Sequence, residues 1–451
     1  MTPRIWIKNP LAIHAPDVAD TRGGVVVENA VIAEVVPLGE KPTLPVSDEF
    51  DASEHVVIPG LVNVHHHFYQ TLTRALPDAL NKPLFPWLKS LYPIWSKLDA
   101  EMISLSTELA CTELLLSGCT TTADHHYLFS DAISDAIDLQ VRTIKKVGIR
   151  ATVTRGSMSL GEDQGGLPPR SVVQTEETIL ADSERLIGLH HDGDPGSMLQ
   201  VALAPCSPFS VSASLMRDTA ALARTHGVRL HTHLGETEDE NMFCVRQFGQ
   251  RPVDYLESVN WMANDVWLAH GIHFTDDEIK RLGAAGIGIS HCPSSNMLLA
   301  SGQCATLDCE AAGCVIGIGV DGSASNDGSN MIQEVRHAFL LQRLRYNAAD
   351  ITHKTVLDWA TKGSSRCLGR DDIGSIAVGK RADMALFKLD ELRFSGAGDA
   401  LAALILCGAH RADRVMIEGQ WRVIDQDPLD TDLRELTHKH HLAAQKLWNA
   451  S

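Results

Sequence analysis

His55-Val56-Val57-Ile58-Pro59-Gly60-Leu61-Val62-Asn63-Val64-His65-His66-His67 is the stretch on which the reading of this chain turns. A β-branched apolar run enters Pro59-Gly60, a second apolar run leaves it, and three imidazoles close it. Side chains alternate between faces along a strand, so His65 and His67 point one way and His66 the other. Two neutral imidazoles side by side at a strand end suit zinc or iron. A histidine triplet alone also fits an incidental cluster. Ligands become the better reading because later strand-like runs end in polar groups as well.

Outward from this stretch, short β-branched runs alternate with longer helical ones. The strand candidates are 55–67, 120–127, 149–156, 199–205, 228–236, 265–272, 286–293 and 313–322. Such alternation builds βα units around a parallel sheet. Eight of them predict an α/β fold, a (β/α)8 TIM-type barrel with its active site at the C-terminal strand ends. An open doubly wound sheet is the alternative, with its ligand at a switch point. Between the strands, Thr275-Asp276-Asp277-Glu278 reads as a capping box, and 215–226 as an apolar-striped helix stopped by Gly227. At the two ends, β-type runs recur at 4–8, 24–28, 31–36, 382–387 and 414–417. Residues 1–57 and 375–451 are therefore expected to form a small β-sandwich-like domain, C-terminal helix included, bracketing a barrel over 58–374.

Three more strand ends carry the polar groups that matter. The fifth runs Leu230-His231-Thr232-His233-Leu234-Gly235-Glu236, the sixth ends Leu268-Ala269-His270, and the eighth ends Val320-Asp321-Gly322. Catalytic groups of such barrels belong at this rim. The first βα connection is long and rich in Pro and aromatics (Pro83, Phe85, Pro86, Trp87, Tyr92, Pro93, Trp95), which makes it a lid with flat faces for a planar substrate. Packing alone accounts for most of these rings; Trp87 fits either role.

Composition narrows the partners. The formal net charge of −18 opposes nucleic-acid and anionic-membrane surfaces, which call for clustered Lys and Arg. Met1-Thr2-Pro3-Arg4-Ile5-Trp6-Ile7-Lys8 lacks the apolar core of a signal peptide, and no apolar run is long enough to span a bilayer. Ten cysteines without a Cys-x-x-Cys pair read as buried thiols in a reducing cytoplasm. A small neutral or polar molecule is the expected partner, with no nucleic acid and no membrane; a homo-oligomer remains open. Gly317-Ile318-Gly319-Val320-Asp321-Gly322 matches a dinucleotide fingerprint in form only, because no helix follows at once. The His-x-Glu…Pro-Cys-x-x-Cys signature of the zinc nucleobase deaminases is absent.

Taken together, Pro59-Gly60-Leu61-Val62-Asn63-x-His65-x-His67, His231-x-His233-x-x-Glu236, Leu268-Ala269-His270, the run His291-Cys292-Pro293-x-Ser295-Asn296 on to Ser301-Gly302, and Asp321-Gly322-x-x-Ser325-Asn326 resemble the amidohydrolase superfamily. The branch is that of nucleobase deaminases and triazine hydrolases, and Gly374-Ser375-Ile376-x-x-Gly379-Lys380-x-Ala382-Asp383 fits it too. The resemblance implies one divalent metal per chain, Zn2+ first and Fe2+ second, held by His65, His67, His233 and Asp321. It implies Glu236 and His270 as the catalytic pair beside it, Asp321 also taking a proton, and His231 as structural. The metal would make hydroxide available near neutral pH, and Glu236 would protonate a ring nitrogen as the adjacent amino-bearing carbon is attacked. Strand four has no lysine to carry the carboxylate bridge of two-metal relatives, so a mononuclear site is expected.

The lid, with 65–74, 84–88 and 91–95, is most similar to that of the 8-oxoguanine-deaminating subfamily. This implies hydrolytic release of ammonia from an amino-substituted oxopurine, 8-oxoguanine first. Gln70 would then pair with the base edge and Trp87 stack on its face. Cys206 would lie by the imidazole-ring edge, although a buried packing thiol is the slightly better reading. Triazine hydrolysis and guanine deamination are the alternatives. A non-catalytic scaffold ranks last, since such chains lose ligands and here every matched position is intact.

Overall fold

Gly60 splits the opening stretch in two. A Cβ on it would fall 2.0 Å from Thr120 Oγ1, so only glycine fits where the chain crosses from one sheet to another. Before it, His55–Pro59 pairs antiparallel with Met384–Lys388 and parallel with Ala12–Ile13. After it, Leu61–Asn63 pairs parallel with Cys119–His126 and Val315–Ile318. The single strand expected over 55–67 is thus two short ones in different sheets. The computed structural model describes residues 4–450; Met1-Thr2-Pro3, the start of the N-terminal run read above, and Ser451 lie outside the described residues.

The barrel strands are β1 (Leu61–Asn63), β2 (Cys119–His126), β3 (Arg150–Ser157), β4 (Leu199–Pro205), β5 (Leu230–Leu234), β6 (Val266–His270), β7 (Gly288–His291) and β8 (Val315–Ile318). They close in the order β4-β5-β6-β7-β8-β1-β2-β3, a (β/α)8 barrel. Parallel strands covered on both faces show near-continuous burial rather than alternation, and β2, β3, β5 and β6 are buried throughout. Several strands are shorter than the runs that foretold them. The run 228–236 is ladder only over Leu230–Leu234, because its last residues leave the sheet to form the rim.

Two outer sheets flank the barrel. One, built from N-terminal strands alone, runs Val31–Val36, Gly24–Glu28, Arg4–Lys8, Asp48–Asp51. The other draws on both ends: Asp427–Pro428, Gln420–Ile424, Arg414–Ile417, Met384–Lys388, His55–Pro59, Ala12–Ile13. Ile7, Val25, Val57, Met384 and Leu386 pack between them. Arg150 ties the barrel to this layer, its buried guanidinium donating to Asp383 at 3.0 Å and to the Gly196 carbonyl at 2.8 Å. The helix Leu433–Asn449 braces the barrel rim, with Trp448 Nε1 donating to the Leu72 carbonyl at 2.8 Å.

Helix ends follow their local signals. The helix Ala213–His226 stops at Gly227, whose φ is 67°. Asp276–Ala284 opens on a full capping box: Thr275 Oγ1 accepts from Glu278 N, and Glu278 Oε2 from Thr275 N at 2.7 Å. Thr275→Ala is expected to lower stability by about 1 kcal/mol, read as a fall in the unfolding midpoint with activity retained. Among the described residues no helix is long and apolar enough to cross a membrane. All ten cysteines are free thiols, nine of them buried.

Candidate active site

Beyond Asn63 the chain leaves the regular ladder but stays stitched to its neighbours. Val64 N donates to the Ile318 carbonyl at 3.1 Å, His125 N to His66 at 2.7 Å, and Asp321 N to His65 at 3.0 Å. The backbones of β1, β2 and β8 therefore set the rim, and His65 and His67 share a side, with ring centroids 4.7 Å apart. His66 turns away, and its Nδ1 accepts from His67 N at 2.7 Å.

The four expected ligands converge. Asp321 Oδ1 lies 3.2 Å from His65 Nε2 and 3.3 Å from His67 Nε2, and His233 Nε2 lies 3.2 Å from His67 Nε2. Their other nitrogens are committed. His67 Nδ1 donates to the His125 carbonyl at 2.7 Å and His233 Nδ1 to the Cys206 carbonyl at 2.6 Å. His231 Nδ1 donates to the Trp267 carbonyl at 2.8 Å, so its Nε2 accepts from His65 Nδ1 at 2.8 Å. Each ligand imidazole is thereby fixed with its Nε2 lone pair facing the others. Burial holds His65 down at about 4 and His233 well below its ordinary value, so both rings are neutral. His65 Nε2 is buried with no hydrogen-bond partner. Three lone pairs and a carboxylate with no proton between them repel one another unless a cation joins them. The donor set fits a divalent metal.

Beside this cluster lie the two groups expected to do proton chemistry. Gly235 turns the chain after β5 with φ 66°, and the Glu240 carboxylate clamps that turn by accepting from Gly235 N at 2.9 Å and Glu236 N at 3.0 Å. Glu236 is fully buried. Burial pushes its carboxyl well above the ordinary carboxylate range, and the charges of Asp321 and Glu240 add to this. His270 stands between the carboxylates, its Nε2 3.6 Å from Glu236 Oε2 and 3.9 Å from Asp321 Oδ2, and its Nδ1 3.0 Å from Asn296 Oδ1. His270 and Asp321 both hold left-handed backbone, at φ 73° and 60°. Such strain in non-glycine residues costs on the order of 1–3 kcal/mol each and persists where the surroundings impose it.

These groups open onto a small cavity at the barrel mouth. Gln70, Trp87 and Cys206 all line it. Gln70 Oε1 accepts from Ala324 N at 3.3 Å, while Trp87 Nε1 donates to the Ala324 carbonyl at 3.2 Å. The lid is thus pinned from two sides to the loop after β8. Gly322 makes room for this, since a Cβ there would stand 1.9 Å from Gln70 Oε1. Burial pushes the Cys206 thiol up to about 12, so it stays protonated.

The structure brings all nine expected site residues to one place. It adds His125, which stacks on His233 with centroids 4.8 Å apart and lies within ligand distance of His65, His67 and His233. Its Nε2 lies 3.0 Å from the Ala204 carbonyl, and its Nδ1 is buried without a partner. The signal was there in Asp124-His125-His126, another strand ending in imidazoles.

The family model described as Amidohydrolase family matches residues 56–422. The chain is 60% identical over 444 residues to 8-oxoguanine deaminase of Pseudomonas aeruginosa, covering 98% of this chain and 99% of that protein. Among solved structures, zinc-complexed atrazine chlorohydrolase from Arthrobacter aurescens TC1 superposes with a TM-score of 0.91 at 29% identity, covering 98% of this chain and 100% of that one. An adenosine deaminase from Xanthomonas campestris with bound zinc gives a TM-score of 0.88 at 27% identity, covering 99% of each chain.

Proposed function

This chain belongs to the amidohydrolase family, and from that premise we propose that it deaminates an amino-substituted oxopurine, 8-oxoguanine, by metal-dependent hydrolysis. The observation that carries the reading is 60% identity, across nearly the full length of both chains, to a protein of that activity. The chain is a hydrolase acting on C–N bonds, and its buried histidine and aspartate group supports a divalent metal. One zinc ion per chain is our reading, supported by the zinc in two structural relatives. The thiols, none of them paired, support a reducing cytoplasm.

His65, His67, His233 and Asp321 would hold the metal. When bound, it supplies a Lewis acid and a water that ionises near neutral pH. The remaining steps belong to the side chains. Glu236, kept protonated by burial, gives its proton to the ring nitrogen beside the amino-bearing carbon. Asp321 accepts a proton from the attacking water as the new C–O bond forms. His270, between the two carboxylates, relays that proton to the departing amino group, so that the C–N bond breaks and ammonia leaves. The hydroxyl proton left on carbon returns to Glu236, which resets the site.

Turnover of 8-oxoguanine, guanine and hydroxytriazines, read as ammonia or alkylamine released, tests the assignment. The highest kcat/KM is expected for 8-oxoguanine, with guanine handled more poorly. Preference for a triazine would move the chain to the hydrolase side of the branch.

A further inference from the structure

We propose that Glu334 is a positioning residue for the reaction, tying the loops after β7 and β8 together so that His270 and Asp321 keep their relay spacing. This role deepens the deaminase reading above and rests on it. Glu334 belongs to the helix Met331–Gln342, is 1% exposed and does not line the cavity. Three donors from two loops nevertheless converge on its carboxylate. Oε1 accepts from Ser294 N at 2.8 Å, and Oε2 from Ser294 Oγ at 2.6 Å and Asn326 Nδ2 at 3.1 Å. Because Ser294 Oγ donates its proton to Glu334, it accepts in turn from His337 Nδ1 at 2.8 Å. Among the described residues the one ion-pair neighbour of Glu334 is His337, at 3.8 Å. A carboxylate so buried is costly unless hydrogen-bonded, so the loop donors hold Glu334 and Glu334 holds the loops.

Each tied loop carries a group that the chemistry uses. On the β7 side, Ser294 lies in the short helix Pro293–Leu298, two residues before Asn296. Asn296 Oδ1 lies 3.0 Å from His270 Nδ1, which leaves Nε2 turned to Glu236 and Asp321. Ser295 Oγ donates to Ser325 Oγ at 3.1 Å, and Ser325 Oγ lies 3.2 Å from Asp321 Oδ2. On the β8 side, Asn326 Nδ2 also donates to the Val320 carbonyl at 2.6 Å, next to Asp321. This loop is strained, with φ of 60°, 53° and 32° at Asp321, Asp327 and Ser329. Such backbone keeps its shape only where its surroundings impose it, and Glu334 does so from outside the cavity. It thus bridges the loop that aims His270 and the loop that carries Asp321, without a hydrogen bond to either group.

Glu334→Gln keeps the side-chain length but sets an amide N–H2 against donors. In the full-length, metal-loaded protein, kcat for 8-oxoguanine is expected to fall about tenfold to hundredfold, with KM within about twofold and metal content unchanged. The solvent deuterium isotope effect on kcat should rise, because the proton relay becomes slower. Ser294→Ala deletes one of the three bonds and should lower kcat about twofold to tenfold in the same way; if Glu334→Gln does not fold, this variant decides. Adding Glu334→Gln to Asn296→Ala should cost no more than about twofold further, since both act through His270. Unchanged kcat, losses that multiply in the double variant, or a fall explained by unfolding with an unchanged isotope effect would overturn the positioning role and leave the deaminase standing. A wild-type protein that turns over no oxopurine would overturn the reading beneath it, and this role with it.

Discussion

Replacing any one of His65, His67, His233 or Asp321 with Ala is expected to abolish turnover and empty the metal site together. Each ligand atom is buried, and each imidazole is held in one tautomer by a fixed partner: the His125 carbonyl, the Cys206 carbonyl, or the His231 relay to Trp267. Losing one ligand therefore removes a preorganised donor that the others cannot swing to replace. The loss should exceed the tenfold to hundredfold that changes to supporting partners typically cost. Elemental analysis of the purified protein should find close to one divalent ion per chain, and well below that in each variant. Active protein without metal, or with two ions per site, would contradict the mononuclear centre.

Glu236→Gln separates chemistry from metal binding. The substitution keeps size and hydrogen-bonding capacity but removes the proton that Glu236 gives and regains. Glu236 is beside the ligand cluster without being among its mutually close ligand atoms, so metal content is expected to stay at the wild-type level. Turnover should fall by about 10² to 10⁴, the usual worth of a positioned acid–base group. Near-normal turnover in the variant would mean that the proton travels by another route. A fall in metal content would make Glu236 a ligand instead.

Much of this was legible in the chain itself. Each of the eight β-type runs overlaps a barrel strand, because strands buried on both faces must be nearly continuous in apolar residues. The capping box at Thr275 and the stop at Gly227 are local hydrogen-bonding and backbone effects, readable within a few residues. The spacing His65-x-His67 likewise announces two imidazoles on one side. Its continuation past the last ladder residue, Asn63, was not readable from periodicity, since it depends on backbone bonds to Ile318, Asp321 and His125.

The sequence by itself determined the barrel, the candidate metal-ligand side chains and the presence of an aromatic-rich first connection, because alternation, spacing and residue chemistry are properties of short stretches. The tertiary structure alone decided how those groups act. The tautomer of His65 depends on His231 and on the carbonyl of Trp267, more than 160 residues further along. The lid is seated by Ala324, which bonds both Gln70 and Trp87. The Glu236 carboxyl is pushed well above the ordinary carboxylate range by burial and by its nearness to Asp321 and Glu240. His125 joins the cluster only once the barrel has closed. Closure brings together residues that are remote in sequence, and solvation, charge and hydrogen-bond completion are set by those neighbours.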